Sequence, residues 1–218
     1  RKTYDTLCLL KSLGYKNVSV FAHPLTYKKK YQPLYSHRPS LEAYSTVINT
    51  RKVCENFCYE FIEVENYQKI KKFEDSIFLI CGAGILPENF IKRYRCINSH
   101  PGYIPLVRGL DAYKWAIVED KPIGVTTHFL GQEVDAGEII DQRTLVIRDD
   151  DTFYSLAMRQ YETEILMLVE SLKLINHQHR YLPGGDNVIH RRMPKEVEVD
   201  LLKMFEKYKQ KHIEALEK

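Results

Sequence analysis

Apolar residues change their spacing along this chain in a way that separates helices from strands. Leu7, Leu9, Leu10 and Leu13 line one side of a predicted helix over residues 1–13, and Gly14 is suited to end it. Residues 17–22 (NVSVFA) are β-branched and aromatic, and Pro24 stops them as a strand. A helix is expected over 40–58, with Ser40 as N-cap and Leu41, Tyr44, Val47, Ile48, Val53 and Phe57 near helical spacing. Residues 59–64 read as a short strand and 67–73 as a short helix. The run 76–81 (SIFLIC) is apolar without a break, as a parallel strand covered on both faces should be. Further strands are expected at 96–99, at 124–130 with alternating sides, and at 138–147. Helices are expected at 111–119 and, behind a cap by Asp151 or Thr152, through about Leu174. A charged amphipathic helix over 195–216 packs on the body or on a partner, after a closing turn at Pro183-Gly184-Gly185. Alternating helices and strands define an α/β layer fold.

The first helix has no strand before it, although strand-helix alternation follows. A further strand ahead of it, with a glycine-bearing loop of the kind that holds phosphates, is therefore expected. At 218 residues the chain supports one well-buried domain. A net charge of +3 gives no argument for a nucleic-acid partner. No apolar run reaches the ~18 residues of a membrane helix, and no signal peptide is visible, so a cytoplasmic, membrane-free protein is expected. Cys8, Cys54, Cys58, Cys81 and Cys96 are odd in number and form no metal framework, which fits reduced thiols.

Candidate chemistry gathers in a few stretches. Gly82–Pro87 follows one predicted strand, Asn98–His100 ends the next and Gly131–Gly137 follows a third. Ligands in open α/β sheets bind beyond strand carboxyl ends, so these stretches are expected to share one crevice. Asn98 and His100 lie two residues apart on an extended segment and point to the same face. The amide can hold an oxyanion while the imidazole exchanges a proton, or both can satisfy backbone groups at a strand end. Asp135 can orient the imidazole or position water, or make an Asx-turn. The Gly82–Pro87 segment can offer backbone groups to a flat heterocycle such as a pterin, or simply turn the chain. Arg108 binds an anionic substrate or locks the loop. His128 beside Thr126 reads as a structural residue. His100, His128 and Asp135 lack the close ligand spacing of a metal site, so no metal is expected. The polar loop over 26–39, with Lys28, Lys29, Lys30 and Arg38 among Tyr27, Tyr31 and Tyr35, is a solvated loop or a clamp for an anionic, ring-bearing ligand.

Taken in order, the segments Asn98-Ser99-His100-Pro101, Ile104-Pro105, Arg108-Gly109, Gly124-Val125-Thr126-Thr127-His128 and Asp135-Ala136-Gly137 resemble the catalytic domain of formyltransferases that use 10-formyltetrahydrofolate. Ile85-Leu86-Pro87 resembles the folate loop of that family, and the likeness spans roughly residues 76–170. The resemblance implies a Rossmann-like three-layer fold with a mainly parallel central sheet, as a catalytic domain over 1–180 with a C-terminal extension over 181–218. It implies direct attack of an amine on the formyl carbon of 10-formyltetrahydrofolate, without metal. Asn98 and protonated His100 would stabilise the oxyanion, and Asp135 would assist proton movement. Gly82, Ala83, Gly84, Ile85 and Leu86, with Gly131, Gln132 and Val134, would hold the pterin, and Tyr103 and Arg108 would contact the acceptor. The run from His100 to Trp115 looks most like enzymes that formylate nucleotide-linked amino sugars, so a small-molecule amine is the expected acceptor. Phosphoribosylglycinamide formyl transfer, formyltetrahydrofolate hydrolysis and a non-enzymatic folate-binding module are the alternatives. A homodimer is expected if the C-terminal helix joins subunits.

Overall fold

A computed structural model describes residues 1–23, 32–41, 48–65, 67, 70, 73, 75–84, 86–131, 137–182 and 188–214. In chain order the elements are α1 (Lys2–Ser12), β1 (Ser19–Ala22), α2 (Thr50–Phe57), β2 (Glu60–Glu63), β3 (Ile77–Leu79), α3 (Glu88–Arg93), β4 (Arg95–His100) and β5 (Arg108–Gly109). Then follow α4 (Ala112–Val118), β6 (Gly124–Phe129), β7 (Gly137–Thr144), α5 (Phe153–Leu174), β8 (Arg180–Leu182), β9 (Ile189–His190), α6 (Lys195–Glu198) and α7 (Leu201–Glu214).

Strand pairing changes direction at β4. In the N-terminal half β1 pairs with β2, and β3 with β4, both in parallel, with α2 and α3 as the intervening helices. From there β4–β6, β6–β7 and β7–β8 are antiparallel, giving a sheet of order β3-β4-β6-β7-β8. Only residues 130–136 join β6 to β7, too few for the crossover that a parallel pair needs. Helix α5 crosses β3, β4, β6 and β7, with α1 beside it. Its start is fixed by a reciprocal cap: the Thr152 hydroxyl accepts from the Ser155 amide at 3.1 Å, and the Ser155 hydroxyl accepts from the Thr152 amide at 2.8 Å.

Three elements differ from the periodicity. The helix expected over 40–58 is not continuous. Asn49 adopts an extended conformation and its side chain accepts from the Lys52 amide at 3.2 Å, so it caps a new helix, α2. Tyr44 and Val47 lie outside the described residues. The helix expected over 195–216 is split between α6 and α7, with Val199 exposed at the break. The split lets Glu198 turn inward as well as Leu201, Phe205 and Tyr208, which pack against Tyr113, Ala116 and Phe153. The C-terminal segment therefore packs on the body of this chain. Third, β6 does not have one wet side, because both of its faces are buried. Thr127 meets the Ser99 hydroxyl at 3.1 Å on one face, and Thr126 is bonded to the segment after β4 on the other.

Helix α5 carries Glu164 on its buried side, where Lys2 reaches it at 2.7 Å and Arg38 at 3.2 Å. Burial by itself raises this carboxyl. The charges of Lys2 and Arg38 outweigh burial and hold it below the usual carboxylate range. A depressed folded-state value adds stability above the unfolded value, which is lost as pH falls through the folded one. The difference in thermal midpoint between the native chain and Glu164→Gln is thus expected to shrink as pH falls below 4.5. A thermal scan series showing a pH-independent difference would contradict this.

Candidate active site

β4 ends at the chemistry. Its register with β6 sets Asn98 opposite His128 and His100 opposite Thr126. Strand geometry puts Asn98 and His100 on one face, shared with Cys96, which packs against Phe90 and Tyr94. Asn98 is half-buried, and no hydrogen bond to its carboxamide is found among the described residues. That leaves the amide available to a ligand rather than spent on a strand end. His100 is 4% exposed, and its Nε2 lies 3.2 Å from the Val107 carbonyl oxygen. A carbonyl only accepts, so Nε2–H is the donor and the ring is held in that orientation.

The segment that provides this carbonyl is itself tied to the sheet. The Thr126 hydroxyl donates to the Gly102 carbonyl at 2.8 Å and accepts from the Ile104 amide at 3.1 Å and Gln142 Nε2 at 3.0 Å. One donor and two lone pairs are all in use. Gln142 Nε2 also reaches the Ile104 carbonyl at 2.6 Å, and Gln160 Nε2 donates to the Pro101 carbonyl at 3.1 Å. Thr126, Gln142 and Gln160 are positioning residues that sequence reasoning missed. Their available signal was modest: Gln160 is a polar residue on the apolar side of α5, four residues after Leu156.

Gly102 makes room for the ring. A Cβ there would lie 2.6 Å from His100 Nε2 and 2.7 Å from the Val107 oxygen. Gly102→Ala is expected to displace the imidazole and reduce turnover about tenfold or more, since small misplacements of reacting groups are costly. Wild-type turnover by a well-folded Gly102→Ala protein would show that the ring position does not matter.

The structure separates the remaining candidates. Extending the β3–β4 register, Leu79 opposite Ile97, brings Gly82 level with His100. Gly82 has φ +133°, no atom lies within 4 Å of a Cβ built on it, and Gly82, Ala83 and Gly84 are exposed. This turn is open to a ligand beside the imidazole. Leu86 is buried with Phe90 and Tyr94, so its side chain belongs to the core. Tyr103 is half-buried, its ring close to Gly124. Arg108 is only 2% exposed, within the β5–β9 ribbon, and its carbonyl accepts from His190 Nδ1 at 3.2 Å. That burial fits the loop-locking reading. His128 is buried and its Nδ1–H donates to the Phe129 carbonyl at 3.0 Å, a structural role.

Gly131 is not brought to His100. Because β6 runs antiparallel to β4, the Leu130 amide bonds to the Cys96 carbonyl, which places Gly131 near the amino end of β4. At ~3.3 Å per residue that is about 16 Å along the strand from His100. For Gly131 the expected convergence is not met, because β6 runs antiparallel to β4; residues 132–136 of that stretch lie outside the described residues. Ile85, Gln132, Val134 and Asp135 lie outside the described residues, as do Tyr27 to Tyr31 and the Pro183-Gly184-Gly185 turn. Burial pushes the Cys96 thiol up to about 12 and raises Cys81 as well, so neither is a thiolate nucleophile at neutral pH.

On β4 the Asn98 amide, with no hydrogen bond found among the described residues, shares one strand face with a fixed imidazole beside an open glycine turn, donor groups of the kind that stabilise an oxyanion. Residues 46–172 match the family model described as Formyl transferase, and the chain belongs to that family. It is 32% identical over 117 residues to methionyl-tRNA formyltransferase of Agathobacter rectalis, covering 52% of this chain and 38% of that relative. Among solved structures, a 4-N formyltransferase from Francisella tularensis overlays with a TM-score of 0.59 at 20% identity, covering 87% of this chain and 72% of the other. A sugar N-formyltransferase from Shewanella sp FDAARGOS_354 overlays with a TM-score of 0.54 at 20% identity, covering 87% and 88%. These likenesses establish the α/β fold.

Proposed function

We propose that this protein transfers a formyl group from 10-formyltetrahydrofolate to the primary amine of a nucleotide-linked amino sugar. The observation that carries the reading is the Asn98 carboxamide, which has no hydrogen bond among the described residues, on the same strand face as the fixed His100 ring and inside the region that matches the family. The amine nitrogen adds to the formyl carbon, and the carbonyl electron pair moves onto oxygen. The Asn98 amide donates to that oxygen and the protonated His100 ring stabilises it, while the His100 Nε2–H stays on the Val107 carbonyl. As the carbonyl re-forms, the bond from carbon to the donor nitrogen breaks. The proton lost by the attacking amine ends on that donor nitrogen, with Asp135 assisting. The exposed backbone of Gly82–Gly84 receives the flat pterin, which supplies the activated formyl group.

The sugar acceptor rests on two supports. One is the run from His100 to Trp115. The other is that both overlaid sugar and 4-N formyltransferase folds extend over 87% of the chain, well beyond the region of the family match. A small-molecule acceptor and a cytoplasmic setting complete the proposal. The test is incubation of the purified protein with 10-formyltetrahydrofolate and a panel of amino-sugar nucleotides plus glycinamide ribonucleotide, read by mass spectrometry of the acceptor. A formylated amino sugar is expected. Formylated glycinamide ribonucleotide would move the acceptor, and formate release without amine would make the protein a hydrolase. An unconsumed donor would overturn the reading altogether.

A further inference from the structure

A proline interrupts the ladder beside the candidate site. The last β4–β6 pair sets His100 opposite Thr126. The next residue, Pro101, has no amide hydrogen, so backbone pairing cannot continue through it. A side chain takes over. Gln160 Nε2 donates to the Pro101 carbonyl at 3.1 Å and to the Gly124 carbonyl at 3.0 Å, which joins the two strands beyond their final rung. Both carbonyls only accept, so the Gln160 Nε2 must face them and its Oε1 must face away.

Arg38 meets that oxygen. Its Nη2 donates to Gln160 Oε1 at 3.1 Å, and its Nη1 lies 3.2 Å from Glu164 Oε2. The guanidinium also stands 5.2 Å from the centre of the Tyr161 ring, and the side chain is 15% exposed. Arg38 is thus neither a solvated loop cation nor one presented to a ligand, because its fork is taken up by buried residues of α5. The other partner of Glu164, Lys2, donates to the Ser99 carbonyl at 3.2 Å. The carbonyls of both sequence neighbours of His100 are therefore held from one cluster, in which Gln160 and Glu164 are buried.

We propose that Arg38 is a positioning residue that acts through Gln160 to set the aim of the His100 ring, a role in catalysis that rests on the formyl transfer proposed above. The guanidinium supplies a donor to Oε1. Without it a buried amide oxygen loses that partner, which favours turning the amide away from its carbonyls. Pro101 and Gly102 are then released, and Gly102 is the residue that packs against the ring: a Cβ there would lie 2.6 Å from His100 Nε2. Lysine is a poor substitute, because a point charge lacks the planar fork that holds Glu164 and Gln160 together.

The test measures Arg38→Lys, Gln160→Met and the double variant in the full chain, with 10-formyltetrahydrofolate and the acceptor that the panel identifies. For Arg38→Lys, kcat is expected to fall on the order of tenfold while KM for each substrate stays within about twofold. The double variant is expected to be no slower than Gln160→Met, since both changes act on one path. Nitrogen NMR of labelled histidine follows the His100 Nε2–H without any turnover. Its exchange with water is expected to quicken on the order of tenfold in Arg38→Lys. Wild-type kcat and wild-type exchange in folded Arg38→Lys protein overturn the proposal. A raised acceptor KM at unchanged kcat overturns it as well, because Arg38 is then a substrate contact. A double variant slower than Gln160→Met by the full Arg38→Lys factor does the same, since it shows a route other than Gln160. If Gln160→Met does not fold, kcat and exchange in Arg38→Lys decide. If no acceptor is formylated, exchange alone decides: a quickened Nε2–H supports the coupling from Arg38 to the ring although the formyl-transfer reading fails, and an unchanged one refutes that coupling.

Discussion

Asn98→Ala is expected to lower turnover by about 10²–10³-fold, the usual loss when one oxyanion donor is removed, with little change in thermal midpoint. The side chain is half-buried and makes no hydrogen bond among the described residues, so its removal strands no protein partner. His100→Ala is expected to cost about 10²–10⁴-fold, the range for a positioned proton-transfer group. It should also lower the midpoint by several degrees, because it leaves the Val107 carbonyl without the Nε2–H donor. Steady-state consumption of 10-formyltetrahydrofolate with a formylated acceptor as product measures both. Wild-type rates in either variant would remove that residue from the chemistry.

Lys114→Met is expected to destabilise the fold by about 3–5 kcal/mol, because truncating one partner of a buried ion pair leaves the other charge uncompensated. Lys114 and Glu198 are 1% and 0% exposed and bonded to each other, and Glu198 also accepts from the Leu34 amide at 2.5 Å. In a chain of this size that corresponds to a midpoint lower by roughly 6–20 °C. The double variant Lys114→Met/Glu198→Leu is expected to recover much of the loss, since replacing both charges by apolar groups is often close to neutral. Thermal or urea unfolding of the two single variants and the double variant decides it. A loss below about 1 kcal/mol in Lys114→Met would place this pair among ordinary surface contacts.

Much of this architecture is visible in local chemistry. The unbroken apolar run at β3 and the Thr152 cap of α5 depend on nearby residues, and both appear where their patterns place them. Asn49 was overlooked because apolar spacing on either side of it imitates one helix, while its side chain starts a second. The alternating sides of β6 do not by themselves tell a half-exposed strand from a buried one, because Thr126, Thr127 and His128 are polar. Each is buried with a partner from a distant segment, and sequence alone does not place those partners. The same limit applies to strand direction. The reversal at β4 is a choice among distant pairings, and it moves Gly131 away from His100 without altering any residue's local preference. Within the candidate site, Asn98 and His100 were legible because two residues on an extended strand must share a face. The roles of Thr126, Gln142 and Gln160 were not, because each acts through backbone groups far away in sequence.

The anchoring of the segment from Gly102 to Val107 has a thermodynamic consequence. His100 is paired with Thr126 in the ladder, and the segment that carries the orienting oxygen is tied to that same Thr126 through Gly102 and Ile104, so thermal motion carries ring and segment together. The conformational entropy of aligning them is lost once, as the chain folds, and not again at every encounter with substrate. This half of the machinery is preorganised, with the ring aimed by contacts made on folding.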